Sequence, residues 1–165
     1  MRKQTFQIEI DAPSWLVFDI IHDYQRRLDW DSLLSKAQVL EPNTQAAVGV
    51  CTRCVGKWSS GWMVMDTRYV SFDRGRVAAV TLINRPWLFE SFHATIRHET
   101  ITENRSRVIY IYSFACRPKW LGWLSEPIVN CLLLRETRKR LHALRDYIDR
   151  SAQQNLVPSP LRGEG

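Results

Sequence analysis

The sequence predicts an α+β domain in which one long C-terminal helix lies across an antiparallel sheet of about seven strands, and three observations carry that prediction. Residues 124 to 150 contain no glycine and place Leu134, Thr137, Leu141, Leu144 and Ile148 at spacings of three and four, which lays them on one stripe of an amphipathic helix. Between residues 37 and 116 six apolar segments are divided by Pro42-Asn43, Ser59-Ser60-Gly61, Asp73-Arg74-Gly75, Asn84-Arg85-Pro86 and Glu103-Asn104, which is strand and turn chemistry. The short connections favour an antiparallel meander, and such a sheet needs one face covered.

Taken in order, Phe6, Ile8 and Ile10 alternate with Gln7 and Glu9, the pattern of a half-buried first strand. Asp11-Ala12-Pro13 then opens a helix with Trp15, Phe18 and Ile21 on its apolar side, followed by the polar segment His22 to Arg27 and a second short helix ending near Trp30. The six strands are expected at Ala37–Leu40, Val48–Trp58, Trp62–Phe72, Val77–Ile83, Phe89–Ile101 and Arg107–Cys116. In the long helix Ser125 is placed to act as N-cap, with Glu126 and Pro127 in the first turn. At about 1.5 Å per residue it is roughly 40 Å long, enough to cross a whole sheet. Residues 1–150 therefore form a single domain, and the Ser-, Gln- and Pro-containing stretch 151–165 is expected to be a disordered tail.

A chain of 165 residues with 45% hydrophobic side chains can bury a core without disulfides or metal. The basic start MRKQ runs into an alternating strand and not into an apolar export segment, so the expected location is cytoplasmic. The run Trp120 to Leu134 is interrupted by Ser125, Glu126, Pro127 and Asn130 and is too short for a membrane span. Net charge is +6, from 23 basic and 17 acidic residues. The arginines are scattered, which implies a solvated surface and not a nucleic-acid partner. The basic cluster Arg135, Arg138, Lys139, Arg140 is expected on the solvated face of the long helix, where the pairs Glu136–Arg140, Arg145–Asp149 and Asp146–Arg150 offset much of it. Cys51 and Cys54 form a C-x-x-C, but on a strand residues three apart point to opposite faces, so no metal site is assigned. No phosphate-binding glycine loop or Ser-His-Asp arrangement is present, and no cofactor is expected.

Ile8-Glu9-Ile10-Asp11-Ala12-Pro13, Val17-Phe18, Ile21, Asp23, Arg26, Trp30-Asp31 and Val48-Gly49 together resemble the Bet v 1-like, START-related superfamily of polyketide cyclases, dehydratases and lipid carriers. A second glycine common in that family is Cys51 here. The resemblance implies a helix-grip fold, a curved antiparallel sheet wrapped around the terminal helix. It also implies a cavity between them that binds a hydrophobic small molecule, lipid-like or polyketide-like. A cyclase or dehydratase acting in the same cavity is the enzymatic alternative, since the superfamily shares no single set of catalytic residues.

Strand parity indicates which side chains face inward, because charged residues mark the solvent side. Asp66 and Arg68 leave Met63, Met65, Thr67 and Tyr69 inside; His93, Arg97 and Glu99 leave Phe92, Ala94, Ile96 and His98; Arg107 and Arg117 leave Tyr110, Tyr112 and Phe114. With Trp30 and the helix residues Leu134, Thr137 and Leu141, these are the candidate ligand-binding residues, a set suited to an apolar molecule with a few polar groups. No catalytic residue is assigned. His98 beside Tyr110 and Tyr112 is the acid–base candidate, and a buried histidine satisfied by a neighbouring hydroxyl is its plain alternative. Asp23, Arg26 and Asp31 are expected to cap turns or pair with each other. The loop Pro118 to Leu124, with Trp120 and Trp123 beside Lys119, is either a core anchor or the cavity's mouth, with transient membrane contact or a protein partner as its third use.

Overall fold

The computed structural model describes residues 2–57, 63–117 and 122–156. Its elements run β1 (Arg2–Ile10), α1 (Ser14–His22), α2 (Arg27–Trp30), β2 (Leu34–Val39), β3 (Cys51–Gly56), β4 (Val64–Asp73), β5 (Val77–Leu82), β6 (Phe89–Thr102), β7 (Arg105–Cys116) and α3 (Gly122–Leu156). The strands make one sheet in the order β1-β7-β6-β5-β4-β3-β2, every neighbouring pair antiparallel. The sheet is curled around α3, the helix-grip arrangement.

The inner face follows from alternation across the ladders. Phe6 lies opposite Tyr110, which lies opposite Ile96, which lies opposite Ala78; one rung along, Tyr112, Ala94 and Val80 continue to Tyr69. Each row presents the same face, so aromatic and aliphatic side chains stack on one side. A bulge between Phe89 and Ser91 resets the parity of β6, and Phe89 and Phe92 are both buried in consequence. Gly49 has φ +84 in the turn before β3, where its N–H donates to the Tyr69 carbonyl at 2.8 Å. That turn delays the strand from the expected Val48 to Cys51.

Helix α1 buries Val17, Phe18 and Ile21. Trp15, expected on the same side, is 53% exposed. Its backbone and Cβ lie 3.4 Å from where a side chain on Gly75 would begin, so it covers the β4–β5 turn from outside. Helix α3 buries Thr137, Leu141, Leu144 and Ile148, and the last three join Ile8, Ile10, Val108 and Trp30 in the main core. Leu141 is the expected anchor and is 3% exposed. Leu134 is a correction: it lies at the edge of this stripe and lines an open groove with Arg135, Arg138 and His142. Leu134 is one turn from Arg138 and two from His142 and so shares their row along the helix, while Leu133 packs against the buried cluster that includes Phe92, Tyr112 and Phe114.

Both ends of α3 also differ from expectation. The helix begins at Gly122, so Ser125 is inside it and not its N-cap, and Pro127 falls within the helix, where it lacks an N–H for the carbonyl four residues back. At the other end the helix passes residue 150 and runs to Leu156, because Ser151 to Asn155 includes no glycine or proline to stop it. Residues 122 to 124 of the tryptophan loop are helical. The Ser59-Ser60-Gly61 turn, Trp120, the Trp123 side chain and residues 157–165 lie outside what the structure describes.

Candidate functional site

Two polar clusters interrupt the apolar interior. The first joins α2 to α3. Arg27 and Asp31 are four apart, so a single turn places the guanidinium on the carboxylate: Arg27 Nε donates to Asp31 Oδ2 at 3.0 Å. Arg140 Nε lies 2.9 Å from the same oxygen. Arg27 also donates to the Ile21 carbonyl at 2.6 Å and lies 4.4 Å over the Trp30 ring. The Asp31 side chain has no exposed surface, and Arg27 and Arg140 keep 11% and 26%. Burial alone would raise the Asp31 pKa; Arg140 and then Arg27 hold it below the usual carboxylate range. Arg140 was expected on the solvated face with Glu136. Instead Lys139 pairs with Glu136 at 3.6 Å and Arg140 turns inward. Arg145 sits 3.8 Å from Asp146, not on Asp149, and Arg150 donates to the Asp146 carbonyl.

The second cluster is a chain of hydroxyls ending on a histidine. His22 Nδ1 lies 2.7 Å from Tyr69 Oη, Tyr69 lies 3.2 Å from Tyr24 Oη, Tyr24 donates to Thr52 Oγ1 at 3.1 Å, and Thr52 lies 3.0 Å from Thr67 Oγ1. Each hydroxyl has one proton. With the Tyr24 proton on Thr52, Tyr69 must donate to Tyr24 and His22 Nδ1–H must donate to Tyr69. The chain is therefore directed, and His22 Nε2, buried without a partner among the described residues, holds the free lone pair. Burial, then the charges of Arg27 and His98, keep the His22 pKa well below 6.5. Burial pushes the Tyr24 and Tyr69 phenols up. All members are neutral near pH 7, so the chain offers hydrogen-bond donors and acceptors and no charge.

His98 faces inward as parity predicts and is 7% exposed. Neither ring nitrogen has a partner among the described residues, the Phe18 ring is 5.2 Å away, and burial depresses its pKa to about 4. Neither Tyr110 nor Tyr112 hydrogen-bonds it. Tyr112 stacks between Phe92 and Phe114 at 6.3 and 6.2 Å, and burial pushes its phenol up to about 12. Met63 and Met65 pack against that aromatic group. Trp30 is buried and its Nε1–H lacks an acceptor among the described residues. Of the other candidates, Tyr69, Phe92, Thr137 and Leu141 are buried, and Tyr110 and Leu134 are half-buried, Leu134 lining the open groove.

Sequence reasoning missed His22, Tyr24, Arg27, Thr52, Cys54 and Arg140. A signal existed for His22, which follows Phe18 by four and so extends the apolar side of α1. Asp23 does cap a turn, accepting from Gln25 N–H at 3.0 Å. Arg26 pairs with Asp29 at 3.7 Å and donates to Tyr147 Oη at 2.7 Å. Cys54 shares its face with Thr52, and burial raises its thiol pKa, which makes it a poor nucleophile. Tyr24, Arg27, Cys54 and Tyr110 all lie deep in the molecule, yet each remains only partly covered.

The description "Polyketide cyclase / dehydrase and lipid transport" belongs to a family whose model matches residues 1–149. The chain belongs to this family. No protein of curated function matches it. Among solved structures it is similar to an aromatase/cyclase from Streptomyces sp. R1128, with 17% identity, 92% of this chain and 95% of that one covered, and a TM-score of 0.75. A START superfamily protein from Mycobacterium smegmatis gives 11% identity, 90% and 97% coverage, and a TM-score of 0.75. Norcoclaurine synthase from Thalictrum flavum, solved with dopamine and hydroxybenzaldehyde, gives 11% identity, 89% and 86% coverage, and a TM-score of 0.65. These likenesses establish the fold. Among the described residues no helix is long and apolar enough to cross a membrane.

Proposed function

We propose that this protein binds a hydrophobic small molecule in an internal cavity between the sheet and α3. The observation that carries this reading is the set of deep side chains that stay partly uncovered, Tyr24, Arg27, Cys54 and Tyr110. A close-packed interior leaves no such surface. Around them the walls are mainly apolar, from Ile96, Val80, Met65 and Leu133, with a few convergent polar groups, which is the composition of a small-molecule site. Native mass spectrometry of the purified protein tests the proposal. A non-covalent adduct that is released on denaturation and extracts into organic solvent is the expected result. A bare chain that also fails to take up a neutral apolar fluorophore would refute it.

The directed chain from His22 favours a second reading, a cyclase or dehydratase. His22 Nε2 holds a lone pair in a dry site, backed by a phenol that passes its own proton onward, and this is an arrangement for taking a proton from a carbon beside a carbonyl. A co-purified molecule with an enolisable carbonyl or an eliminable hydroxyl would bring this reading forward. Turnover should then fall about 10²–10⁴-fold in His22→Gln or His98→Gln while binding persists. A saturated chain leaves the carrier reading alone.

A further inference from the structure

Building on that ligand-binding reading, we infer that the ligand carries a carboxylate, seated head-first on the Arg27–Asp31–Arg140 cluster. Two guanidiniums share one carboxylate there, and they share one oxygen of it, Asp31 Oδ2. The cluster therefore has one positive charge in excess, at a point where the Asp31 side chain is wholly covered. An uncompensated buried charge is costly, and Arg140, with 26% of its side chain exposed against 11% for Arg27, is the guanidinium more open to a ligand.

Among the described residues the cluster keeps two buried donors without an aligned acceptor, against one buried acceptor, Asp31 Oδ1, without a donor. Arg140 Nε is buried, and although it stands 2.9 Å from Asp31 Oδ2 it lacks hydrogen-bond alignment to an acceptor among the described residues. The Trp30 Nε1–H, under the Arg27 guanidinium, is buried without an acceptor among the described residues. A guanidinium presents paired donors that match the two oxygens of a carboxylate. An apolar tail on the same molecule would extend along Tyr110 toward Ile96 and Met65, the half-covered apolar rows of the sheet. The chemistry described is that of a fatty acid or another long carboxylic acid, and an ester or alcohol of the same length lacks the complementary charge.

The test compares cis-parinaric acid with its methyl ester by fluorescence titration against the full chain near pH 7.5. The acid should bind about tenfold to a hundredfold more tightly than the ester, the range for hydrogen bonds to charged groups. In Arg140→Gln that ratio should fall close to one, and in Arg140→Lys, which keeps the charge and loses the fork, it should lie between. Equal binding of acid and ester to the unaltered protein would overturn the inference while leaving the ligand-binding reading intact, because the apolar site would still be filled. A ratio that survives in Arg140→Gln would also overturn it, with the cluster then only a brace between α2 and α3. Failure of both probes to bind would overturn the ligand-binding reading itself. If Arg140→Gln does not fold, Arg140→Lys carries the test: an acid-to-ester ratio unchanged from the unaltered protein overturns the inference, and a reduced one supports it.

Discussion

The two ends of the interior are built on the same sheet but from different chemistry. At one end Phe89, Phe92, Tyr112 and Phe114 pack ring on ring at centroid distances of 5.7 to 6.3 Å, closed by Val129 of α3. Such a region holds together by apolar area and contact, and it is indifferent to pH. At the other end Arg27, Asp31 and Arg140 meet beside the His22–Tyr69–Tyr24–Thr52–Thr67 chain. There each side chain is held through at least one polar neighbour, so stability depends on those partners being present. The aromatic end tolerates loss in proportion to volume; the polar end fails when one partner is removed.

That contrast is sharpest in a pair of variants. Asp31→Asn keeps the shape of the side chain but leaves two largely covered guanidiniums without a counter-charge, and it should cost about 3–5 kcal/mol. Phe114→Ala removes a fully covered ring and should cost a similar amount, about 3–5 kcal/mol, through lost transfer energy and a void. Urea melts at two pH values separate them. The Asp31 carboxylate has a depressed folded pKa, so its contribution is complete above the unfolded pKa and is lost only as pH falls through the folded one. The Phe114 cost should be the same throughout. An Asp31→Asn protein as stable as its parent at pH 7 would mean the arginines are not held against a buried charge.

Much of this was open to sequence, for reasons that mark where sequence stops. Alternation placed Tyr69, Phe92, His98, Tyr110 and Tyr112 on the inner face correctly, because charged neighbours fix the solvent side of a strand and each strand carries its own evidence. Periodicity placed Thr137 and Leu141 inward, and erred at Leu134, because that residue also stands at the four-residue spacing of Arg138 and His142 and lines the groove with them. Arg140 was out of reach. Its neighbours Arg138 and Lys139 are exposed, and local pairing with Glu136 looked sufficient, whereas its partner Asp31 is more than a hundred residues away in sequence. Tyr24 and Arg27 sit in a short polar segment with no period, so nothing in the chain could say which of its polar groups turn inward.

Acid should expose the polar end before the aromatic one. His98 has a folded pKa of about 4 against an unfolded value near 6.5. Between those values the unfolded chain binds a proton that the folded chain does not, so stability falls as pH drops from about 6.5 toward 4. The loss from this one group approaches about 3 kcal/mol at the lower limit, each pKa unit being worth about 1.4 kcal/mol. His22, also depressed, adds to it with the same sign. In His98→Gln the slope of unfolding free energy between pH 6.5 and 4.5 should flatten by up to one proton. An unchanged slope would show that His98 is protonated in the fold or exposed.

The smallest effect tests the hydroxyl chain itself. Tyr69→Phe keeps the ring, its edge contact with Phe72 at 5.3 Å and its burial, and removes only the oxygen between His22 and Tyr24. Tyr24 retains Thr52 as acceptor, so that side loses little. His22 Nδ1–H loses the acceptor it has among the described residues, in a covered position, and an unsatisfied buried donor costs about 1–3 kcal/mol, more than the hydrogen bond contributed. Thr67→Val at the far end of the chain removes the acceptor of the Thr52 O–H, a donor in a fully covered position, and should cost about as much. A loss in Thr67→Val comparable to that in Tyr69→Phe is the signature of a chain directed away from His22, because in the opposite direction Thr67 would be the donor and its removal would strand none. A Thr67→Val or a Tyr69→Phe protein as stable as its parent in urea would mean that the five groups are neighbours without that direction, and the proton-taking role assigned to His22 Nε2 would lose its support.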